Sequence, residues 1–243
     1  MLKILDTGQA PAQANMDIDA ALLRDLGDTP ILHLYDWEGP SATHGHFINP
    51  ADYLDLDQAE KHNLNLGKRP TGGGIIFHVC DWAFSVLVPS QSTHYSLNTL
   101  DNYALINRAV QEAVRSLLQT DLLPELLPHE PTPLDASCSQ FCMAKPTKYD
   151  VMLGGQKIAG AAQRRMRQGF LHQGSICLAL PPIDLLAAVL LPDTQVLAAM
   201  QQNTFSLLGR EATASELSDL RHQMRLSLTA ALQKTFETQP AVR

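Results

Sequence analysis

Apolar residues along this chain recur first at helical spacing, then in alternation, and the two patterns take turns. Between Asn15 and Leu26 the positions Met16, Ile18, Ala20, Leu22, Leu23 and Leu26 predict a helix. Asn15 or Asp17 would cap its start, and Gly27 and Pro30 would end it. Ile31–Trp37 alternates as a strand, closed by Gly39 and Pro40. Ala51–His62 reads as a short helix. Ile75–Val79 and Trp82–Val88 read as two strands joined in a hairpin across Cys80 and Asp81. In Thr99–Gln119 the positions Leu100, Tyr103, Ala104, Ile106, Val110, Val114, Leu117 and Leu118 mark an amphipathic helix. The Pro-rich stretch Pro124–Pro133 reads as an irregular connector. Further strands are expected at Tyr149–Leu153, Gln156–Ile158 and Gly174–Leu180. From Pro181 the pattern is helical: Asp184–Leu191, Val196–Leu208, and a longer helix to about Phe236 after the capping-box match Thr213-Ala214-Ser215-Glu216. Helix, strands, helix, strands, helices is the order of an α+β domain with a mixed, mostly antiparallel sheet.

Composition narrows the function classes. With 243 residues, 45% of them hydrophobic, the chain can bury a core. Lys+Arg 18 against Asp+Glu 25 gives a net charge of −7, which makes general binding to nucleic acid or an anionic membrane a poor expectation. The longest apolar run near a helix, Leu185–Leu191, is far shorter than the about 20 residues of a spanning helix. Met1–Asp6 reaches an acid too soon for the apolar region of a signal peptide, so a cytoplasmic protein is expected. The cysteines at 80, 138, 142 and 177 form no CxxC pair, and no His pair accompanies Cys138 and Cys142, so no metal site is expected.

Three segments carry candidate chemistry. Lys68-Arg69-Pro70-Thr71-Gly72-Gly73-Gly74 precedes an apolar strand. Glycines let backbone N–H groups approach an oxyanion or phosphate closely, and Arg69 can add a charged fork; a tight turn feeding a strand would use the same residues. In Tyr149–Arg165, Lys157 enters a strand after Gly154-Gly155 and is followed by the small residues Gly160 and Ala161. It is either a cation held at a site or an edge-strand lysine. In Phe141–Pro146, Cys142 lies near several cations in sequence, as a nucleophile would, although most cysteines are inert buried thiols. His78, His172 and Ser85 read as structural residues, and Arg164 and Arg165 as a phosphate or carrier contact or a solvated face.

Taken together, Arg69–His78, Phe84-Ser85-Val86 with Pro89, Lys157–Arg165 and His172–Ile176 resemble the lipoate–protein ligase/octanoyltransferase family, within the biotin and lipoate protein ligase superfamily. Asn15–Asp19 and Leu34–Pro40 are similar to its N-terminal elements. The resemblance covers about residues 1–190. It implies a class II aminoacyl-tRNA synthetase/biotin synthetase-like catalytic domain with a bent sheet flanked by helices. Residues 1–243 then form a single domain, with 191–243 as a helical extension. It also implies acyl transfer to a lysine of a lipoyl domain, such as those of the 2-oxoacid dehydrogenases or glycine cleavage H protein. Arg69, Gly72, Gly73, Gly74, His78, Gly160 and Ala161 would line the acyl or lipoate site, with Lys157 catalytic. Burying six or so methylenes at ~0.8 kcal/mol each would contribute about 5 kcal/mol.

The resemblance divides into two activities. Members that are ATP-dependent ligases make lipoyl-AMP from lipoate, ATP and Mg2+. They typically follow the glycines with His-Asp and a nearby Gly-Asn; this chain has His78-Val79-Cys80-Asp81-Trp82 and no Gly-Asn. Members that are octanoyltransferases carry a cysteine upstream of the Tyr-Asp/Glu strand, and Cys142 stands seven residues before Tyr149. That pattern implies transfer from octanoyl-acyl carrier protein through a Cys142 thioester, with no cofactor. Cys138 is a competing thiol. His33 stands where an arginine is frequent, and His44–Asn49 lacks the glutamine of the corresponding element. A ligase, with or without a separate accessory chain, and a non-catalytic acyl-binding relative are the alternatives.

Overall fold

The computed structural model describes residues 1–118 and 121–238. Its elements in chain order are β1 (Lys3–Ala10), α1 (Ala12–Arg24), β2 (Ile31–Trp37), β3 (Ser41–His44), a 3-10 turn (Pro50–Asp52), α2 (Leu56–Lys61), β4 (Asn65–Lys68), β5 (Ile76–His78) and β6 (Asp81–Pro89). There follow α3 (Thr99–Leu117), β7 (Glu125–Leu126), a second 3-10 turn (Ser137–Gln140), β8 (Val151–Leu153), β9 (Gln156–Met166), β10 (Gly169–Cys177), α4 (Ile183–Val189), α5 (Val196–Asn203) and α6 (Ala214–Glu237). Residue 119, the last of the expected third helix, lies outside the described residues.

The strands form a sheet of seven in the order β1-β2-β6-β10-β9-β8-β7 and a sheet of three in the order β4-β3-β5. β1 with β2, and β3 with β4, run parallel; the remaining pairs are antiparallel. The sheet is therefore mixed and mostly antiparallel, as expected.

The helix expected over Val196–Leu208 ends at Asn203, the strand expected over Gly174–Leu180 runs over Gly169–Cys177, and the expected connector Pro124–Pro133 contains β7; two further expectations also need correction. Ile76–His78 and Asp81–Pro89 do not form a hairpin. β5 pairs with β3 in the small sheet and β6 with β2 and β10 in the large one. The backbone turns from one sheet into the other at Cys80, whose carbonyl accepts from the N–H groups of Leu178 and Ala179. Nor does Asn15 cap the first helix. The helix starts earlier, after Pro11, whose fixed φ suits a helix entry. Asn15 is buried within it and donates to the carbonyls of Ala10 and Asp36 at 3.3 and 2.9 Å. The Thr213–Glu216 capping box forms as expected.

β6 and β10 are buried along their whole length because both faces of the large sheet are covered. Trp82, Phe84, Val86 and Val88 point to a core shared with α3 and α6, where Val110, Val114, Met224, Leu228 and Leu232 are buried. The alternate residues face the other way: Ala83 packs with Met16 of α1 and Tyr35, and Leu87 with Leu23. A further cluster joins the small sheet to α4 and α5 through Phe77, Phe141, Cys138, Val189 and Met200. The functional cleft opens between the α1 face of the large sheet and the small sheet.

Candidate active site

Lys157 reaches the cleft because β9 carries a bulge. β8 and β9 are joined by the tight Gly154-Gly155 turn, and Met152 faces Lys157, but the next pair is Val151 with Ala159. One residue of β9 is thus extra. Ile158 and Ala159 both enter the core, and the side-chain parity of the strand inverts. Without the bulge, Lys157 would share the core face with Ala159. With it, Lys157 lies on the face of Gly160. A Cβ at Gly160 would stand 2.4 Å from Lys157 Cε and 2.5 Å from Nζ, so this glycine is what lets the lysine lie flat on the strand.

The Lys157 ammonium is buried and makes three close contacts: Asp150 Oδ2 at 2.7 Å, the Cys142 carbonyl at 2.8 Å and Cys142 Sγ at 3.3 Å. Burial alone would lower its pKa. The Asp150 carboxylate and Cys142 outweigh burial and hold the lysine above its ordinary value, so it stays a cation. Asp150 is fixed in turn, since the backbone N–H and hydroxyl of Thr147 donate to Oδ2 at 2.6 and 3.0 Å. Tyr149 before it adopts a left-handed φ of 69°, pinned by a 2.7 Å bond from Asn107 Nδ2 to its carbonyl.

Cys142 and the glycine segment are tied together. Ile75 N donates to Gln140 O at 2.6 Å, and Cys142 N donates to Ile75 O at 2.8 Å, so the cysteine segment runs as a short strand beside the end of the glycine loop. Gly74 allows this approach, because a Cβ there would fall 2.2 Å from Gln140 O. Arg69 is buried and lines the cleft cavity, with the two terminal nitrogens of its fork engaged by the protein. It donates to the carbonyls of Thr43, Gly72 and Gly74 and to Thr43 Oγ1. The expected charged fork is spent on shaping the loop. Among the described residues, the N–H groups of Gly72, Gly73 and Gly74 have no protein acceptor, and all three residues line the cavity.

The cavity has a volume of 340 Å³ and is lined by Cys142, Lys157, Gly72–Gly74, Tyr35, Trp37, Ile76 and Tyr103, among others. Its floor is a row of small residues across three strands, Gly160 of β9 beside Ser175 of β10 beside Ala83 of β6. At strand spacing of about 4.8 Å this row makes a trough about 10 Å long. Gly160, Ala161 and His78 all line this cavity. The imidazole of His78 is engaged, with Nδ1 2.7 Å from Asp81 Oδ2, Nε2 2.8 Å from Thr43 Oγ1, and its face stacked on Trp37 at 4.1 Å.

Other candidates separate. Cys138 is fully buried in the cluster under the small sheet, and burial together with Asp135 pushes its thiol up. It is not at the cleft. Arg164 and Arg165 donate to the carbonyls of Pro70 and Leu97. Ser85 donates to Asp19 at 2.6 Å, and Asp19 also contacts His33 Nδ1 at 2.8 Å and accepts from Gln173 at 2.6 Å. Gln173 then accepts from Thr71 at 2.7 Å, so this buried network anchors the start of the glycine loop. Asp150, Asp19 and Gln173 were not singled out from the sequence. A carboxylate just ahead of the strand whose hairpin partner holds Lys157 was the available signal for Asp150.

His172 is buried, with Gln163 Nε2 donating to Nδ1 at 2.8 Å and no partner on Nε2. Burial pushes its pKa from 6.5 down to about 3. Above pH 6.5 both folded and unfolded states hold it neutral. As pH falls from 6.5 towards 3, the unfolded chain takes a proton that the folded one refuses. Stability then drops by up to about 1.4 kcal/mol per pH unit from this group. His172→Gln is expected to flatten the urea-midpoint profile in that window while leaving the alkaline side unchanged. Equal slopes for the two proteins would refute a neutral buried imidazole.

Comparison with known proteins adds the following. A family model described as "Lipoyl protein ligase A/B catalytic domain" matches residues 11–224. Octanoyltransferase LipM of Bacillus subtilis (strain 168) is 28% identical over 240 residues, covering 97% of this chain and 85% of that one. LipM of Halalkalibacterium halodurans is 28% identical over 205 residues, covering 83% and 74%. Among solved structures, a bipartite lipoate protein ligase of Thermoplasma acidophilum superposes with a TM-score of 0.71 at 23% identity, over 98% of this chain and 84% of that one. A lipoate-protein ligase A bound with ATP gives 0.70 at 24% identity, over 97% and 85%. These two likenesses show the fold.

Proposed function

Because this chain belongs to the lipoyl protein ligase A/B catalytic domain family, we propose that it is an octanoyltransferase of protein lipoylation that works through a Cys142 thioester. The observation that carries this reading is the Cys142 sulfur 3.3 Å from a buried, charge-locked Lys157 in one cavity with three free glycine amides. The acyl chain lies in the trough over Gly160, Ser175 and Ala83, with its carbonyl at Cys142.

Cys142 thiolate attacks the carbonyl carbon of octanoyl-carrier thioester. The carbonyl π pair moves to oxygen, where the Lys157 ammonium and the amides of Gly72–Gly74 are the available donors. Collapse expels the carrier thiolate, which is protonated from solvent, and leaves octanoyl-Cys142. The neutral ε-amine of the lipoyl-domain lysine then attacks the same carbon. Cys142 thiolate leaves, the amine loses its proton to solvent base, and the amide is formed. Lys157 acts as a fixed cation, not as a base, because Asp150 keeps it protonated.

A thioester is already activated, so this reaction consumes no nucleotide. The acceptors in this reading are lipoyl domains of 2-oxoacid dehydrogenases or the glycine cleavage H protein. The setting is the cytoplasm, where Cys142 stays reduced; the four cysteines are free, and among the described residues no helix is long and apolar enough to cross a membrane. The test is intact mass of an apo lipoyl domain after incubation with the protein and octanoyl-carrier protein, without ATP. A gain of one octanoyl group is expected. Modification that requires free lipoate and ATP would overturn the proposal in favour of the ligase activity.

A further inference from the structure

A second cavity lies directly behind the acyl trough. It has a volume of 260 Å³ and is lined mainly by apolar side chains, among them Phe77, Met143, Leu186, Leu197 and Met200. It shares two lining residues with the first cavity, Ile76 and Ser175. Ile76 is a buried residue of β5 in the small sheet. The Ser175 hydroxyl donates to Asp81 Oδ2 at 2.5 Å. Asp81 pairs with Cys177 on the neighbouring strand, and both line the second cavity. Ile76 of the small sheet and Ser175 of the large one therefore stand on the boundary between the two cavities.

We propose that Ile76, which with Ser175 borders both cavities, is the partition that limits the acyl chain to medium length, and that the cavity behind it is a hydrocarbon site for longer chains once the partition is removed. This rests on the acyltransferase reading above and adds its chain-length rule. A branched side chain is suited to the task, since β-branching restricts χ1 and leaves few rotamers into which Ile76 can swing aside. A chain longer than the trough must either fold back on itself or stop short of Cys142. With Ile76 truncated, a chain that turns beside Ser175, the middle residue of the row, enters an apolar space. Each methylene moved out of water is worth about 4-fold in binding (~0.8 kcal/mol). The four methylenes that separate dodecanoyl from octanoyl then have an upper limit of roughly 200-fold.

The experiment compares octanoyl- and dodecanoyl-carrier protein as donors to one apo lipoyl domain, reading the ratio of the two initial rates. The wild-type protein is expected to favour octanoyl strongly. In Ile76→Ala the dodecanoyl-to-octanoyl ratio is expected to rise about tenfold or more, below the upper limit because the trimmed wall also loses packing. Leu197→Trp, which puts an indole into the second cavity, is expected to return the ratio of the Ile76→Ala protein towards the wild-type value. Absence of octanoyl transfer by the wild type would count against the acyltransferase reading itself. With wild-type transfer intact, an unchanged ratio in folded Ile76→Ala, or a raised ratio indifferent to Leu197→Trp, overturns the partition. Should Ile76→Ala fail to fold, Ile76→Val removes one methyl group, and the decanoyl-to-octanoyl ratio must rise; no rise again overturns it.

Discussion

Cys142→Ala is expected to abolish the acyl-enzyme and to cut octanoyl transfer by roughly 10³-fold or more, the scale seen when a covalent nucleophile is removed. Incubated with octanoyl-carrier protein and no acceptor, the wild-type chain should gain one octanoyl group by intact mass, and Cys142→Ala none. The fold should survive, because Cys142 is only half-buried and its structural bonds are made by its backbone. Cys138→Ala is the matched control. That thiol sits in the cluster beneath the small sheet, away from Lys157, so its loss should leave the acyl-enzyme intact. An acyl group retained by Cys142→Ala, or lost with Cys138→Ala, would remove Cys142 from the chemistry.

Lys157→Met should lower transfer by about 10²–10³-fold, the usual cost of losing one preorganised oxyanion partner. It should also destabilise the protein by about 3–5 kcal/mol, because Asp150 is then a buried carboxylate without its counter-ion. Burial of both partners makes this a large effect: their side chains are 1% and 3% exposed. The double variant Lys157→Met/Asp150→Asn separates the two roles. The amide oxygen introduced by Asp150→Asn would still accept from Thr147 while carrying no charge, so stability should largely return and activity should not. Denaturant midpoints and single-turnover deacylation rates measure the two separately. Recovery of transfer in the double variant would show that Lys157 serves only to neutralise Asp150.

Much of this architecture was legible along the chain. Ile31–Trp37 is a strand with the expected bounds, and Thr213-Ala214-Ser215-Glu216 does cap the last helix. The reason is locality: alternation and capping are written within a few consecutive residues. β1, β3, β4 and β7 were not foreseen. β1 is an edge strand whose residues are mostly exposed, so it carries no alternation to detect. The other three are segments of four, four and two residues, too short to carry a period. The hairpin expected across Cys80-Asp81 failed for a different reason. An apolar run announces a strand but does not name its partner, and Ile76–His78 found Ser41–Thr43 instead of β6.

For the site, the residue types were readable and their arrangement was not. Glycines before a strand, a lysine followed by Gly160 and Ala161, and Cys142 upstream are local facts, and they were sufficient to place the chain in its family. Which thiol meets the lysine was decided by the pairing of Cys142 with Ile75, a contact between segments 67 residues apart in number. That Lys157 faces the cleft at all was decided by a one-residue bulge, which inverts strand parity and leaves no compositional trace. Arg69 makes the same point. As a residue type it suggests an anion, whereas in the fold its two terminal nitrogens donate to Thr43 and to the carbonyls of Gly72 and Gly74. Side-chain identity and local periodicity are one-dimensional properties, so the chemistry available to this protein can be read along the chain. Register, strand partners and the satisfaction of buried polar groups depend on segments meeting in space, so which of those groups stand together is settled in the fold.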